Sequence, residues 1–177
     1  MLARELPGAE TFETFRCREE EVFRGEIARR ARELGLQPLR WPDPFPFDSA
    51  LAMRVATYAK SIGRVVPFAQ AAFRQAFAGG RSLQEVDHVL IAAAACEMHP
   101  TAVLRGGELR SVDHQLSEST ARAARAGILD VPAVIVESTG TQSRALGPKG
   151  LGRVFLGEHA VEDAAAHMSG SPTPARP

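Results

Sequence analysis

The hydrophobic period of this chain changes once, near Gly127, and that change limits the fold more than any other feature of the sequence. Before it, apolar residues recur about one helical turn apart. Asp48 or Ser49 is placed to cap a helix with Leu51, Val55, Tyr58/Ala59 and Ile62 on one face, ending near Gly63. A second helix follows with Val66, Ala69, Phe73 and Ala76/Phe77 inward and Gly79-Gly80 as its stop. Ser82-Leu-Gln-Glu85 has capping-box spacing, and Leu83, Val86, Leu90 and Ala93/Ala94 continue a third amphipathic face to about Glu97. A short turn over residues 101–106 leads to a helix over 112–126 carrying Val112, Leu116, Thr120 and Ala123/Ala124. After Gly127 the pattern is of another kind. Val131-Pro-Ala-Val-Ile-Val136 is short and β-branched, the turn-rich STGTQSRALGPKGLG follows, and Arg153-Val-Phe-Leu156 is a second apolar run. This predicts a β-hairpin with a long connection, broken at Gly157 and closed by a helix over 160–168. Helices followed by strand, strand and helix specify an α+β or α/β domain with a helical insertion.

Upstream, residues 1–16 show no sustained period and include Pro7 and Gly8, which reads as an irregular lead-in. From Glu19 three acids open a helix where the macrodipole favours negative charge, with Phe23, Ile27, Arg30/Ala31 and Leu34 on one side and Gly35 at its end. Prolines at 38, 42, 44 and 46 then fix φ and remove donors so often that an extended connector is the only course. Residues 169–177, with three prolines, read as a disordered tail.

Composition excludes whole classes of function. Lys+Arg of 21 against Asp+Glu of 21 cancel, so the chain carries no net positive charge with which to attract nucleic acid or an anionic membrane. No run approaches the eighteen or so apolar residues of a membrane span, and the first ten residues carry an acid and a proline where a secretion signal would be apolar; the expected address is the cytoplasm. Cys17 and Cys96 are too far apart for a Cys-x-x-Cys pair, and His88, His99, His114, His159 and His167 show no zinc-ligand spacing, so no metal site is expected.

Ala126-Gly-Ile-Leu-Asp-Val-Pro-Ala-Val-Ile-Val136 followed by Val154-Phe-Leu-Gly-Glu-His159 resembles the Gly-[Val/Ile]-x-Gly-Val-Pro strand opening and later Gly-x-Asp-Arg of DsbA-like thioredoxin-fold proteins. The branch it resembles is that of 2-hydroxychromene-2-carboxylate isomerases and kappa-class glutathione transferases. GLQPLRWPDPFPFDSALAMRVATYAKSIGR resembles the segment that leads those proteins into their helical insertion, so the likeness runs from about residue 22 to 168. It implies a partial thioredoxin-like α/β fold dominated by an all-helical insertion. Its expected parts are the lead-in 1–16, a helix and connector 17–47, the insertion 48–126, a strand-strand-helix 127–168 and the tail 169–177. It also implies a cis bond before Pro132, the backbone of Val131 as an edge for the cysteinyl part of glutathione by strand addition, and a helix start at Glu158 and His159 that receives the γ-glutamyl end. The plain alternatives are that Pro132 merely begins a strand and that Glu158 merely stabilises a helix start.

The family's opening strand, thiol-activating helix and second strand have no counterpart that reads as such in residues 1–21. Cys17 stands before the wrong helix for the resemblance and is expected to be a bystander, while Cys96 ends IAAAAC and is expected to pack as a small hydrophobe. Trp41 reads as a cover for the core edge, with a cleft-lining role as the alternative. Two functions therefore stand side by side: a glutathione-dependent isomerase acting on a small aromatic substrate, and a catalytically silent binding module; a disulfide oxidoreductase is disfavoured for want of Cys-x-x-Cys. A strand short of sheet neighbours exposes an edge that recruits other chains, so homodimers are a secondary expectation.

Overall fold

The computed structural model describes residues 20–129, 131–136 and 152–170. In chain order they form α1 (Glu20–Glu33), α2 (Ala50–Ser61), α3 (Val65–Phe73) running into a π turn (Arg74–Ala78), α4 (Val86–Ala94), α5 (Pro100–Gly107), α6 (Arg110–Arg125), β1 (Ala133–Val136), β2 (Arg153–Leu156) and α7 (Ala160–Met168). The chain divides into two compact units, and the division falls inside α6 between Ser119 and Thr120. The lead-in before residue 20, Cys17, the hairpin connection over 137–151 and the last seven residues lie outside the described residues.

In the first unit one apolar cluster joins α2, α3, α4 and α5, and its largest fully buried side chains are Phe68, Val55, Val89 and Val103. Ser49 is the N-cap residue of α2 but its side chain makes no capping bond; Asp48, one residue earlier, accepts the Ala50 N–H through Oδ1 at 2.8 Å. The connector is pinned to the end of the π turn, where Arg40 N–H donates to the Phe77 carbonyl at 2.7 Å. Trp41 sits half-buried between Phe45 (centroids 4.9 Å), Phe77 (6.2 Å) and Phe23 (6.4 Å), with the Arg24 guanidinium 4.8 Å from its ring centroid. Its edge-on aromatic contacts make it a cover for the core rim.

Four details correct the sequence reading. The inward face of α3 is Phe68, Ala72 and Ala76, whereas Val66 and Phe73 are more than 60% exposed, at 63% and 64%. The face is rotated by about one residue, or about 100°. Val65-Val-Pro-Phe-Ala-Gln-Ala-Ala-Phe73 is apolar on both sides, so its period does not select one of them. In α4 the buried side is Val89, Ala92 and Ala93, while Val86 is exposed and Leu90 half-buried. Ser82-Leu-Gln-Glu85 is not the capping box of this helix. The Ser82 hydroxyl accepts from Gln84 N–H, and the helix begins after Glu85. The expected turn over 101–106 is instead a helix, α5, opened by Pro100 at its first position and His99 at its N-cap.

These corrections set an expectation for stability. Val89→Ala deletes two buried methyl groups and should cost about 2 kcal/mol, from the transfer term and the residual cavity together. Val86→Ala should stay within about 0.5 kcal/mol. Urea titration of both variants measures the difference, and equal losses would return Val86 to the core.

The second unit is smaller. β1 and β2 pair antiparallel with Ala133 opposite Leu156, Val134 opposite Phe155, Ile135 opposite Val154 and Val136 opposite Arg153. The helix α7 packs on this hairpin through Ala160 and Ala164, which are buried, and through His167, whose ring lies 5.5 Å from that of Phe155. Both strands and α7 fall where the change of period places them.

Candidate functional site

The residues singled out by the Val-Pro signal gather at one end of the hairpin. Gly127, at φ +71°, ends α6; Ile128 is buried and Leu129 is 74% exposed. Val131 is 67% exposed, and the peptide bond between it and Pro132 is cis. The Pro132 carbonyl accepts the Gly157 N–H at 2.9 Å, which extends the β1–β2 ladder by one pair and ties the first half of the motif to the second.

Past Gly157, at φ +86°, the chain turns into α7. Glu158 is exposed. His159 is the N-cap residue, and its side chain makes no capping hydrogen bond; its carbonyl instead accepts the Asp163 N–H at 3.0 Å. The hairpin thus brings Val131 and Pro132 together with the turn that carries Glu158 and His159. Glu162 and Asp163 in the first turn of α7 offset the positive end of the helix dipole.

The thiol of Cys96 is remote in kind from such a site. It is 5% exposed within the core of the first unit, and its Sγ–H donates to the Ala92 carbonyl at 3.3 Å. Burial pushes its pKa above the ordinary 9.0, against a smaller opposing pull from Arg64. Thiolate is the reactive form, so this cysteine is structural. A raised pKa also has a sign for stability. Above pH 9 the unfolded chain loses the thiol proton while the folded chain keeps it, so this group's contribution falls as pH rises through the ordinary thiol range. The measurable consequence is slow labelling: at pH 8 Ellman's reagent should reach Cys96 only through opening of the fold, orders of magnitude more slowly than in urea. Labelling in a Cys17→Ser background as fast as that of the unfolded chain would contradict it.

Of the histidines, His88 is half-buried, with Nδ1 2.7 Å from the Ser82 carbonyl. His114 is exposed, 3.5 Å from Glu118. Among the described residues no three His, Cys, Asp or Glu side chains group closely enough to hold a metal ion, and no helix is long and apolar enough to cross a membrane. Sequence reasoning missed α5 altogether, together with the cleft along it; Pro100 at the first helical position was the available signal.

Compared with known proteins, residues 8–166 match the family model of the DSBA-like thioredoxin domain. No curated protein and no solved structure matches the chain.

Proposed function

Because the chain belongs to the DSBA-like thioredoxin domain family, we propose that its hairpin end binds a thiol ligand, the cysteinyl part of glutathione, as in the isomerase branch it resembles. We further propose that the polypeptide by itself turns over little substrate. The observation that supports the binding half is the placement of Val131. It is 67% exposed and immediately precedes the cis proline that leads into β1, the place where the resemblance puts strand addition of the ligand's cysteinyl backbone. Glu158, exposed at the start of α7, is the acid placed to meet a ligand's α-amino group, one position earlier than in the family pattern, where His159 stands instead. Bound there, glutathione would supply the thiol that the isomerisation needs.

The silent half of the proposal rests on Cys96. A ligand thiol is a weak nucleophile unless a donor or positive charge favours its thiolate, and the described cysteine is buried with its pKa raised. It can neither attack a substrate nor exchange with a ligand disulfide.

Two measurements test this. In 15N-labelled protein, glutathione up to about 10 mM should give saturable amide shifts at residues 131–136 and 157–160, and S-methylglutathione should do the same, since backbone pairing does not need the free thiol. No shift in that region would overturn the binding site. Chromene-carboxylate isomerisation with glutathione, and insulin reduction with dithiothreitol, should both proceed near the uncatalysed rate. Robust turnover abolished by Cys17→Ser would overturn the silent reading and make Cys17 the working thiol.

A further inference from the structure

We propose that the open edge of β1 and one flank of α7 form a self-association surface, on which a second copy of this chain pairs strand to strand and helix to helix. The surface lies wholly in the second unit and does not depend on the thiol reading above.

The edge comes first. Among the described residues β1 has β2 as its one sheet neighbour. The Gly157 N–H bond to the Pro132 carbonyl sets the parity of the ladder, so Val134 and Val136 exchange bonds with Phe155 and Arg153, while Ala133 and Ile135 turn N–H and C=O outward. No backbone partner for these outward groups occurs among the described residues. Sheet edges are ordinarily guarded by charges, proline or a bulge, and Ala133-Val-Ile-Val136 contains none of them. Such an edge fits an extended strand. Laid antiparallel with Ala133 opposite Ile135 of the second copy, the two edges satisfy each other's outward groups about a two-fold axis at Val134.

The helix α7 selects a second copy over any other strand. At about 100° per residue, His167, Ala160 and Ala164, and then Met168, Val161 and Ala165, follow one another around it. His167 stands over β2, where its ring meets Phe155 and its Nδ1 lies 3.3 Å from Nη1 of Arg153. Ala160 and Ala164 are buried on the hairpin. The next flank therefore faces the open side of β1, and it is apolar and uncovered: Val161 is 67% exposed, Met168 is 73% exposed and Ala165 is exposed. Neighbouring strands lie about 4.8 Å apart. A helix seated over the β1–β2 pair then stands about 10 Å from its two-fold mate, the interaxial distance of packed helices. One geometry thus pairs the edges and packs the flanks together, and no charged side chain of either lies between the copies.

The test uses the full chain with a phosphine reductant, so that no disulfide contributes, and without glutathione, so that failure here and failure of thiol binding are separate results. Sedimentation equilibrium from about 10 μM to about 1 mM should show the mass rising toward twice that of one chain, and amide exchange at Ala133 and Ile135 should slow several-fold over the same range. Ile135→Pro removes an outward donor but no bond of the hairpin, and Ala165→Glu sets like charges across the axis; each should weaken association at least about tenfold. Ala165 is exposed, so Ala165→Glu should keep the wild-type melting temperature and reads the interface even where the proline loosens the hairpin. Phe73→Ala, on the exposed face of α3, should leave association unchanged. A chain that stays monomeric to about 1 mM, association that Ala165→Glu leaves intact, or association that Phe73→Ala abolishes would each overturn this surface.

Discussion

Phe68→Ala should destabilise the protein by about 3 to 5 kcal/mol, the largest single loss expected from truncating one side chain in this fold. Phe68 is 1% exposed and belongs to the cluster that joins α2, α3, α4 and α5, so deleting its ring removes both transfer free energy and packing contacts on several elements. Phe73, five residues on, is the control. It is 64% exposed and stacked on Phe77 with centroids 6.4 Å apart, so Phe73→Ala should cost at most about 1 kcal/mol. Chemical denaturation of the two variants measures both numbers. If Phe73→Ala proved the more damaging, the face of α3 described above would be wrong and the face expected from periodicity would be right.

The second large effect is expected at Gly106. In a helix, Gly→Ala ordinarily stabilises, by about 0.5 to 1 kcal/mol. Here an added Cβ would lie 2.5 to 2.6 Å from three atoms of the Tyr58 ring, a rigid group with no flexible end to swing aside. Overpacking of this kind costs about 1 to 3 kcal/mol and should outweigh the propensity gain. Gly25, in α1, has nothing within 4 Å of a Cβ, and Gly25→Ala should show the ordinary stabilising sign. Tyr58→Ala should relieve the Gly106→Ala penalty in a double-mutant cycle. Additive losses in that cycle would mean that the two residues are not in contact. The neighbouring glycine is less demanding: a Cβ on Gly107 would meet Val55 at 3.6 Å, an ordinary van der Waals separation.

Whether an element was legible in the sequence depended on how one-sided its pattern is. The face of α6 carrying Val112, Leu116 and Thr120 is buried as its spacing indicates, because polar residues fill the other positions and leave one orientation. The strands and α7 were readable from β-branched runs and from Gly157, whose φ of +86° a side chain would resist. The family was readable for a similar reason. A Val-Pro strand opening and a Gly-containing turn at a fixed distance downstream are local demands of the backbone, and the residues that satisfy them stand in sequence order.

What the residues alone did not decide was which side of an evenly apolar helix turns inward, and where one helix yields to the next. For α3 and α4 both sides are apolar, so only the shapes of neighbouring helices choose Phe68 over Phe73 and Val89 over Val86. The π turn after α3 adds to this, because its wider turn shifts the phase of every residue beyond it. The helix α5 was hidden because Gly106-Gly107 reads as a stop. In the fold these glycines are where α2 comes closest to α5, with Tyr58 and Val55 occupying the space that side chains would fill. The sequence by itself determined the order of the elements other than α5, since that order follows from period and turn residues, while Val131, Pro132, Glu158 and His159 were singled out by the family resemblance. The burial of Cys96 was legible as well, but only the tertiary structure decided the packed faces of α3 and α4 and the close approach of Tyr58 to Gly106, because each depends on residues distant in the chain meeting at van der Waals distance.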